Sequence, residues 1–222
     1  MQSYPKGHFI TIEGIEGAGK STCLDAISAT LAELGIHDPV VTREPGGTEI
    51  GEAIRAILLD MHHRGMSGES EALLLFAART EHVAQVIRPN LEAGRWVISD
   101  RFTDASYAYQ GGGRRLGEER IAVLEDWAIP TMRPDITLLL DVDPQVGRER
   151  VGKRQGESDR FEAEQNDFFA AVRQAYLSRA ESDAQRFRII DANKSAADVR
   201  LQVEQIIYDL FGNQDWAREQ KR

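Results

Sequence analysis

Apolar residues along the chain fall into two alternating patterns, short runs and helical repeats. The short runs predict five strands, at Phe9–Ile12, Val40–Thr42, Trp96–Ser99, Ile136–Val142 and Phe187–Ile190. Apolar residues spaced three or four apart predict helices in the regions 24–34, 49–59, 71–87, 118–128 and 196–210. The run Ile136–Val142 is almost continuously apolar, which is typical of a strand covered on both faces of a parallel sheet.

This regular alternation predicts the fold class. We expect an α/β fold with a doubly wound parallel sheet of about five strands flanked by helices. The length of 222 residues suits one such domain, with two small domains as the less favoured alternative. Because no repeat or linker divides the chain, we expect a single domain over residues 1–222 with a polar tail at 213–222.

Glycine and proline positions predict where several elements end. Pro89 and Gly94 are expected to close the helix that spans region 71–87. Pro144 is expected to open a helix at its first turn. The run Gly111–Gly113 predicts a flexible connector.

A glycine-rich loop follows the first predicted strand. The segment from Gly14 to Ser21 fits the spacing G-x-x-x-x-G-K-[ST] of a phosphate-binding P-loop. Glycines let backbone N–H groups turn toward an anion, and the next helix adds partial positive charge at its N-terminus. Lys20 can reach the β- and γ-phosphates, and the Ser21 hydroxyl can ligate Mg²⁺. The residues expected at the nucleotide are Gly14, Ile15, Glu16, Gly17, Ala18, Gly19, Lys20, Ser21 and Thr22.

Charge and cysteine content narrow the class of function. The net charge of −9 argues against broad affinity for nucleic acid or anionic membranes, so local arginines must hold any anionic substrate. No apolar run is long enough to span a membrane, and the N-terminus lacks a signal-peptide core. The single cysteine, Cys23, excludes an internal disulfide and fits a cytoplasmic location. A reactive thiol there is the alternative to the favoured interpretation, a small buried side chain.

Charged residues follow two further predicted strands. Arg43 follows the second strand, and Asp100 and Arg101 follow the third. Since ligands bind beyond the carboxyl ends of parallel strands, we expect these residues beside the P-loop. Asp100 closes an apolar strand as a Walker-B acid does, although an ordinary polar residue at a strand end is the alternative.

Five segments, in the same order, resemble the bacterial thymidylate kinases. They are EGIEGAGKST (Glu13–Thr22), TREPGGT (Thr42–Thr48), LLLFAAR (Leu73–Arg79), DRFTDASYAYQGGG (Asp100–Gly113) and DRFE (Asp159–Glu162). The resemblance implies a P-loop NTPase fold with a mobile lid at about residues 150–160. It implies transfer of the ATP γ-phosphoryl to dTMP, giving dTDP and ADP for dTTP synthesis. Mg²⁺ as cofactor and a homodimer are implied as well.

The same resemblance implies roles for individual residues. Lys20 would be the main cation of the P-loop, and Asp100 would be an outer-shell ligand of Mg²⁺. Glu16 would bind the 3′-hydroxyl of dTMP, and Arg101 would bind its phosphate. Further dTMP contacts are implied for Arg43, Phe76, Arg79, Ser106, Tyr107, Tyr109 and Gln110.

Several of these dTMP contacts carry a specific expectation. Phe76 would stack on thymine and Arg79 would bind its carbonyl edge, although a plain core position is the alternative for Phe76. Tyr109 would exclude a ribose 2′-hydroxyl. Arg43 would assist at the phosphate, and a surface ion pair with Glu44 is an equally good interpretation.

The family supplies its catalytic arginine either from the P-loop or from the lid. The P-loop position is Gly17 here, so the resemblance implies a lid arginine. We expect Arg154 to be catalytic and Arg150 to lie nearer the adenine. A solvated basic face is the alternative, and Arg160 could instead tie down the lid through Asp159 or Glu162.

Two other classes of function remain open from the sequence alone. One is another P-loop kinase that acts on a different nucleotide or small molecule. The other is a P-loop ATPase or GTPase module without an acceptor substrate. A GTPase would carry an N-K-x-D motif, whereas Asn193-Lys194 is followed by Ser195-Ala196.

Overall fold

A five-stranded parallel sheet forms the centre of the molecule. The computed structural model describes residues 7–153 and 159–212. The strands are β1 (Phe9–Glu13), β2 (Val40–Arg43), β3 (Val97–Asp100), β4 (Ile136–Asp141) and β5 (Phe187–Asp191). Their order across the sheet is β2-β3-β1-β4-β5, and every neighbouring pair is parallel. The predicted α/β class and the number of strands are therefore confirmed.

Helices connect the strands. They are α1 (Lys20–Glu33), α2 (Glu49–Leu59), α3 (Gly68–His82), α4 (Arg88–Glu92), α5 (Thr103–Ser106), α6 (Glu118–Ala128), α7 (Pro144–Gly152), α8 (Asn166–Ser182) and α9 (Ala196–Phe211). Two π-helical turns, Val83–Ile87 and Tyr107–Gly113, extend α3 and α5. None of the described helices is long and apolar enough to cross a membrane.

Burial of apolar side chains explains why the strands pair in this way. All five residues of β1 are buried, and β1 lies between β3 and β4. Along β4, Ile136 to Leu140 are buried as the continuous apolar run predicts. Asp100 on β3 lies opposite Ile12 of β1 on one side and opposite Arg43 of β2 on the other. The ends of these three strands therefore lie side by side. The loops that follow these strands are thereby brought to one edge of the sheet.

The prediction that Pro89 closes a helix is wrong. The chain continues from α3 through the π-helical turn Val83–Ile87 into α4, and Pro89 stands in the first turn of α4. A proline inside a continuous helix removes one main-chain hydrogen bond, and the wider π-helical turn lies directly before it. Gly94, with φ of 76°, follows the end of α4.

The predicted flexible connector at Gly111–Gly113 is also wrong. All three glycines belong to the π-helical turn, and Gly112 and Gly113 pack closely against α8, a helix absent from the predicted elements. A Cβ atom on Gly112 would lie 2.7 Å from the Ala175 Cβ, and one on Gly113 would lie 2.5 Å from the Phe168 ring. The glycines therefore permit close helix contact rather than motion.

Cys23 is fully buried on α1, within the main core cluster. Burial raises the pKa of its thiol above the ordinary value, with a further contribution from Asp100. A thiol that stays protonated is a poor nucleophile. The interpretation of Cys23 as a small core side chain is confirmed, and the reactive alternative is wrong.

Candidate active site

A cavity of about 250 Å³ opens beside the glycine-rich loop, at the carboxyl edge of the sheet. Its wall is built from that loop, the segments that follow β2 and β3, helices α2 and α3, and residues 159–162. The predicted site residues in this wall are Glu16, Gly17, Lys20, Arg43, Arg79, Asp100, Arg101, Ser106, Tyr109 and Gln110. The predicted gathering of the strand ends at one site is confirmed.

The glycine-rich loop has the backbone conformation of an anion site. Gly14, Gly17 and Gly19 all have positive φ, at 140°, 74° and 93°, and α1 begins directly afterwards. Lys20 Nζ lies 3.5 Å from the carbonyl oxygens of Gly14 and Ile15. Burial, followed by the charge of Arg101, lowers the pKa of Lys20. A bound polyphosphate would offset this lowering of the Lys20 pKa, because it adds negative charge beside the ammonium group.

A close contact between two backbones explains why position 17 carries no side chain. A Cβ atom on Gly17 would lie 2.1 Å from the carbonyl oxygen of Gly147, which belongs to α7. A Cβ atom on Gly147 would in turn lie 2.6 Å from the carbonyl oxygen of Glu16. An arginine cannot occupy position 17 without moving α7. Any further cationic side chain at this site must therefore come from another element.

Arg101 lies at the centre of a hydrogen-bonded cluster on the cavity wall. Its Nη2 donates to Glu16 Oε1 (2.8 Å) and to the Tyr109 hydroxyl (2.9 Å). The Tyr109 hydroxyl donates to Glu16 Oε2 (2.6 Å), which closes the cluster. The guanidinium also lies 4.6 Å from the centre of the Tyr109 ring.

The backbone of Arg101 is strained. Its φ is 74°, in the left-handed region, which costs on the order of 1–3 kcal/mol for a residue other than glycine. Two hydrogen bonds hold this conformation, from Arg101 N to Ile12 O (2.9 Å) and from Ser99 Oγ to Arg101 O (2.7 Å). Strain maintained by the surrounding sheet fits a side chain that is aimed at a ligand.

Arg79 is a second buried arginine at the cavity. Its Nε donates to Glu44 Oε2 (2.7 Å), Nη1 to Ser106 Oγ (3.0 Å), and Nη2 to the carbonyl oxygen of Phe102 (3.0 Å). It is only 1% exposed, yet it contributes to the cavity wall. The guanidinium is thus held by three partners in one orientation.

Phe76 and Tyr107 lie behind the cavity wall that the described residues form. Phe76 is 2% exposed and packs in a core cluster with Tyr107, and the Arg79 guanidinium lies 4.6 Å from its ring centre. The Tyr107 hydroxyl donates to Glu125. Leu75, the residue before Phe76, lines the cavity instead. Helical geometry turns the adjacent residues 75 and 76 to different sides, and the base contacts expected of Phe76 and Tyr107 stay predictions.

Arg43 forms its ion pair with a residue other than the expected one. Its Nη2 donates to both carboxylate oxygens of Glu52, each at 2.8 Å, and both side chains are about half exposed. The expected partner Glu44 is buried beneath Arg79. An exposed pair contributes about 0–1 kcal/mol, so Arg43 is available to a ligand at little cost.

The residues expected near Mg²⁺ fit a cation that is held mainly by a nucleotide. Asp100 Oδ1 is buried and has no hydrogen-bond partner among the described residues. Ser21 is exposed in the first turn of α1. A hydroxyl and a carboxylate are the oxygen ligands that Mg²⁺ prefers. Within residues 7–153 and 159–212 no cluster of three or more His, Cys, Asp or Glu residues could hold a metal unaided.

Of the two predicted lid arginines, Arg150 lies within the described residues and Arg154 lies outside them. Arg150, on α7, donates to the carbonyl oxygens of Ala192 (2.8 Å) and Lys194 (3.2 Å). Arg150 is thereby fixed to segment 192–194, and its expected place nearer the adenine stays a prediction. Arg154 lies outside the described residues, so its catalytic role stays a prediction.

Arg160 is a buried anchor rather than a cavity residue. Its Nη2 lies 2.6 Å from Glu71 Oε2, and its Nε donates to the carbonyl oxygen of Leu58 (2.7 Å). The expected tethers were Asp159 and Glu162, but the contacts run to α2 and α3 instead. Segment 159–162, part of which lines the cavity, is thereby fixed to the body of the fold.

Arg55 and Phe161 line the cavity although the sequence analysis did not single them out. Arg55 Nη1 donates to the carbonyl oxygen of Pro45 (2.9 Å). Its sequence signal was a lone arginine in an apolar helix pattern that directly follows the segment Thr42–Thr48. Phe161 lies between Arg160 and Glu162 in the DRFE segment, and no feature of that segment marked it as a cavity residue.

Glu13 is a buried acid at the end of β1, and it predicts a pH dependence of stability. Its Oε1 accepts from Phe102 N (2.7 Å), and its Oε2 lies 2.7 Å from the Tyr176 hydroxyl. Burial, followed by the charge of Asp104, raises the pKa of Glu13 to about 8. The folded protein therefore retains a proton that the unfolded chain has lost, and its stability should fall as pH rises from about 4.5 to 8.

Glu13→Gln should remove this part of the pH dependence. The amide is neutral at every pH, so the free energy of unfolding of the variant should fall less between pH 5.5 and 8.5. The difference from the wild-type chain should reach up to about 3 kcal/mol. Urea unfolding at both pH values measures it, and parallel pH dependences for the two chains would contradict the assignment.

Comparisons with known proteins agree with this geometry. The family model for thymidylate kinase matches residues 12–203. Thymidylate kinase of Halorhodospira halophila is 62% identical over 206 residues, which cover 93% of this chain and 96% of that relative. The Cupriavidus necator protein is 55% identical over 203 residues, which cover 91% and 98%. The crystal structure of thymidylate kinase from Ehrlichia chaffeensis aligns with a TM-score of 0.73 and 33% identity, covering 91% of this chain and 99% of that one.

The extent of these matches decides between the alternatives left open by the sequence. A glycine-rich loop is shared by many P-loop NTPases, and alone it would not separate a kinase from an ATPase module. The matched region also includes the segments that carry Arg79, Arg101 and Tyr109. Since the similarity covers nearly the whole length of the relatives, this chain belongs to the thymidylate kinase family.

Proposed function

We propose that the chain transfers the γ-phosphoryl group of ATP to dTMP, giving dTDP and ADP. The observation that supports this most strongly is the cluster of Arg101, Glu16 and Tyr109 on the cavity wall beside the P-loop. It combines a phosphate-binding guanidinium with an acceptor for a sugar hydroxyl. Phosphoryl transfer requires mainly such positioning and charge neutralisation from the protein.

The donor side of the site would hold ATP. In this proposal the backbone N–H groups of residues 14–22 surround its phosphates, and Lys20 neutralises charge at the β- and γ-phosphates. Ser21 and Asp100 would hold Mg²⁺, which supplies charge neutralisation between the two phosphates when it is bound. Arg150 would remain against segment 192–194 and support the adenine end.

The acceptor side would hold dTMP. Arg101 binds its phosphate, and Glu16 accepts a hydrogen bond from the deoxyribose 3′-hydroxyl. For this to happen, Arg101 exchanges part of its present contact with Glu16 for the phosphate. Arg79, Ser106 and Gln110 meet the thymine edge, with Leu75 at its face. Arg43 adds positive charge at the cavity mouth.

A substrate panel tests the proposed activity. ADP release would be measured with ATP and Mg²⁺ in the presence of dTMP, dUMP, dCMP, AMP or no acceptor. We expect turnover with dTMP to exceed that with AMP and that without acceptor by at least about a hundredfold. Equal ADP release with and without dTMP would support an ATPase instead and overturn the proposal.

Tyr109 is proposed to exclude the ribose 2′-hydroxyl by the bulk of its ring. Tyr109→Ala should weaken dTMP binding. It should also lower the ratio of kcat/KM for dTMP to kcat/KM for the corresponding ribonucleotide, which carries a 2′-hydroxyl, by about tenfold or more. Tyr109→Phe is the matched control, because it keeps the ring and removes only the hydroxyl that contacts Glu16. The ratio of kcat/KM for the two nucleotides measures the effect. If Tyr109→Ala leaves that ratio unchanged, another side chain guards the 2′ position.

We also propose a cytoplasmic homodimer. Helices α3 and α6 pack on each other, and both carry exposed apolar side chains: Leu73 at 57%, Val123 at 69% and Trp127 at 80% exposure. A second copy would cover such side chains and remove them from water. Light scattering after size-exclusion chromatography should give twice the chain mass, and Trp127→Lys should lower it. A monomeric wild-type chain at micromolar concentration would contradict the dimer.

A further inference from the structure

We propose that His82 and Thr42 are positioning residues for the acceptor pocket, acting on Arg79 through Glu44. This inference rests on the proposed function, in which Arg79 meets the base of dTMP. His82 itself does not line the cavity that the described residues form. It belongs to the last turn of α3, one turn after Arg79.

A continuous row of hydrogen bonds joins these side chains. Thr42 Oγ1 lies 2.6 Å from His82 Nε2, and His82 Nδ1 lies 3.0 Å from Glu44 Oε1. The other carboxylate oxygen, Glu44 Oε2, accepts from Arg79 Nε at 2.7 Å. Glu44, Arg79 and His82 are all buried. The contacts among these three are therefore made away from water, where losing one partner is expensive, and the contact between Thr42 and His82 is partly buried.

The chemistry of the groups fixes the direction of these bonds. A carboxylate only accepts hydrogen bonds, so Glu44 requires a donor at His82 Nδ1 as well as at Arg79 Nε. In a neutral imidazole with the proton on Nδ1, Nε2 is an acceptor, and the Thr42 hydroxyl must donate to it. Glu44 thus selects the tautomer of His82, and the Thr42 hydroxyl holds the ring in place from its other side by donating to Nε2.

The backbone around Thr42 is shaped to this hydrogen bond. Gly47 has φ of 79°, and a Cβ atom on it would lie 2.8 Å from both His82 Nε2 and Thr42 Oγ1. The segment Thr42–Thr48 therefore passes directly over the bond and leaves no space for a side chain there. Glu44 belongs to the same segment, so His82 holds this loop at two points.

Arg79 is the end of the row that reaches the ligand cavity. Three of its five N–H groups are used by Glu44, Ser106 and the Phe102 carbonyl. The two that remain, one on each terminal nitrogen, are available to a ligand. If Glu44 loses its contact with His82, it can rotate and release Arg79 Nε, and the guanidinium loses its fixed orientation. Among the described residues no hydrogen bond or ion pair joins the P-loop to this row, so ATP binding should not change.

Thr42→Val tests the proposal, because it replaces the hydroxyl by a methyl group of the same size. We expect KM for dTMP to rise about tenfold, with kcat and KM for ATP changed less than twofold. Thr42→Ser restores a hydroxyl and should recover most of the loss. Thr80→Val is the matched control. Thr80 lies on α3, the helix that carries Arg79 and His82, and its hydroxyl donates an exposed hydrogen bond to the Ala77 carbonyl.

A second variant and a second measurement separate positioning from stability. His82→Asn keeps an N–H donor near Glu44 and loses the contact with Thr42, so it should resemble Thr42→Val in its effect on KM for dTMP. Thermal unfolding of every variant is recorded beside the kinetics. The proposal is overturned if KM for dTMP stays unchanged in Thr42→Val, if KM for ATP rises equally, or if Thr42→Ser does not recover. A wild-type chain without activity on dTMP would instead overturn the proposed function and this inference with it.

Discussion

Arg101→Ala is expected to lower kcat/KM for dTMP by at least about a thousandfold. The guanidinium holds Glu16 and Tyr109 in one cluster and is proposed to bind the acceptor phosphate. Its removal takes away a cation that cannot be replaced by water at equal strength in a partly buried site. The loss should appear in both kcat and KM, because the phosphate is bound before the transfer and during it.

Two control variants make this result interpretable. Arg101→Lys keeps the charge but loses the planar fork, and we expect it to recover only part of the activity. Arg120→Ala removes an exposed arginine that pairs with Glu69 outside the cavity, and it should leave kcat/KM unchanged. A loss of less than about tenfold for Arg101→Ala, in a protein that unfolds at the wild-type temperature, would contradict the role given to Arg101.

Arg154→Ala is expected to lower kcat by about a thousandfold while the affinities for ATP and dTMP change little. The reason is steric: the backbone of Gly147 prevents any side chain at Gly17, so the P-loop has only Lys20 as a cationic side chain. Charge that develops between donor and acceptor needs a second cation. The lid segment carries arginine and is the expected source.

Arg150→Ala should be assayed beside it, because the two arginines have different expected roles. Arg150 already binds the carbonyl oxygens of Ala192 and Lys194, so its loss should raise KM for ATP by about tenfold and change kcat less. Equilibrium binding of both substrates, measured separately, distinguishes affinity from catalysis. A near wild-type kcat for Arg154→Ala with a large loss for Arg150→Ala would reverse the assignment.

The elements that the sequence predicts well are those whose burial is complete. The run Ile136–Val142 identifies β4 because both faces of the sheet are covered, and β1 is found for the same reason. Helix α8 was not predicted, although Phe168, Val172 and Tyr176 recur every four residues. The polar residues Arg173 and Gln174 interrupt the pattern, and the glycines that α8 packs against suggested flexibility instead.

The site was predictable where a local motif carries its chemistry. Lys20 and Gly17 follow from the spacing of one loop, and Arg101 from its place at a strand end. The partners of Arg79 and Arg43 were not predictable, because they depend on which helices meet across the sheet edge. Glu44 stands next to Arg43 in the sequence, yet the fold turns it inward to Arg79 and His82.

Transfer of labelled phosphate tests the central claim most directly. The wild-type chain would be incubated with Mg²⁺, dTMP and ATP labelled with ³²P at the γ-position, and the products would be separated by chromatography. We expect the label to appear in dTDP at the rate at which ADP forms, and to be almost absent from dTDP with Arg101→Ala. Release of the label as inorganic phosphate at the same rate with and without dTMP, or equal transfer to AMP, would contradict the claim.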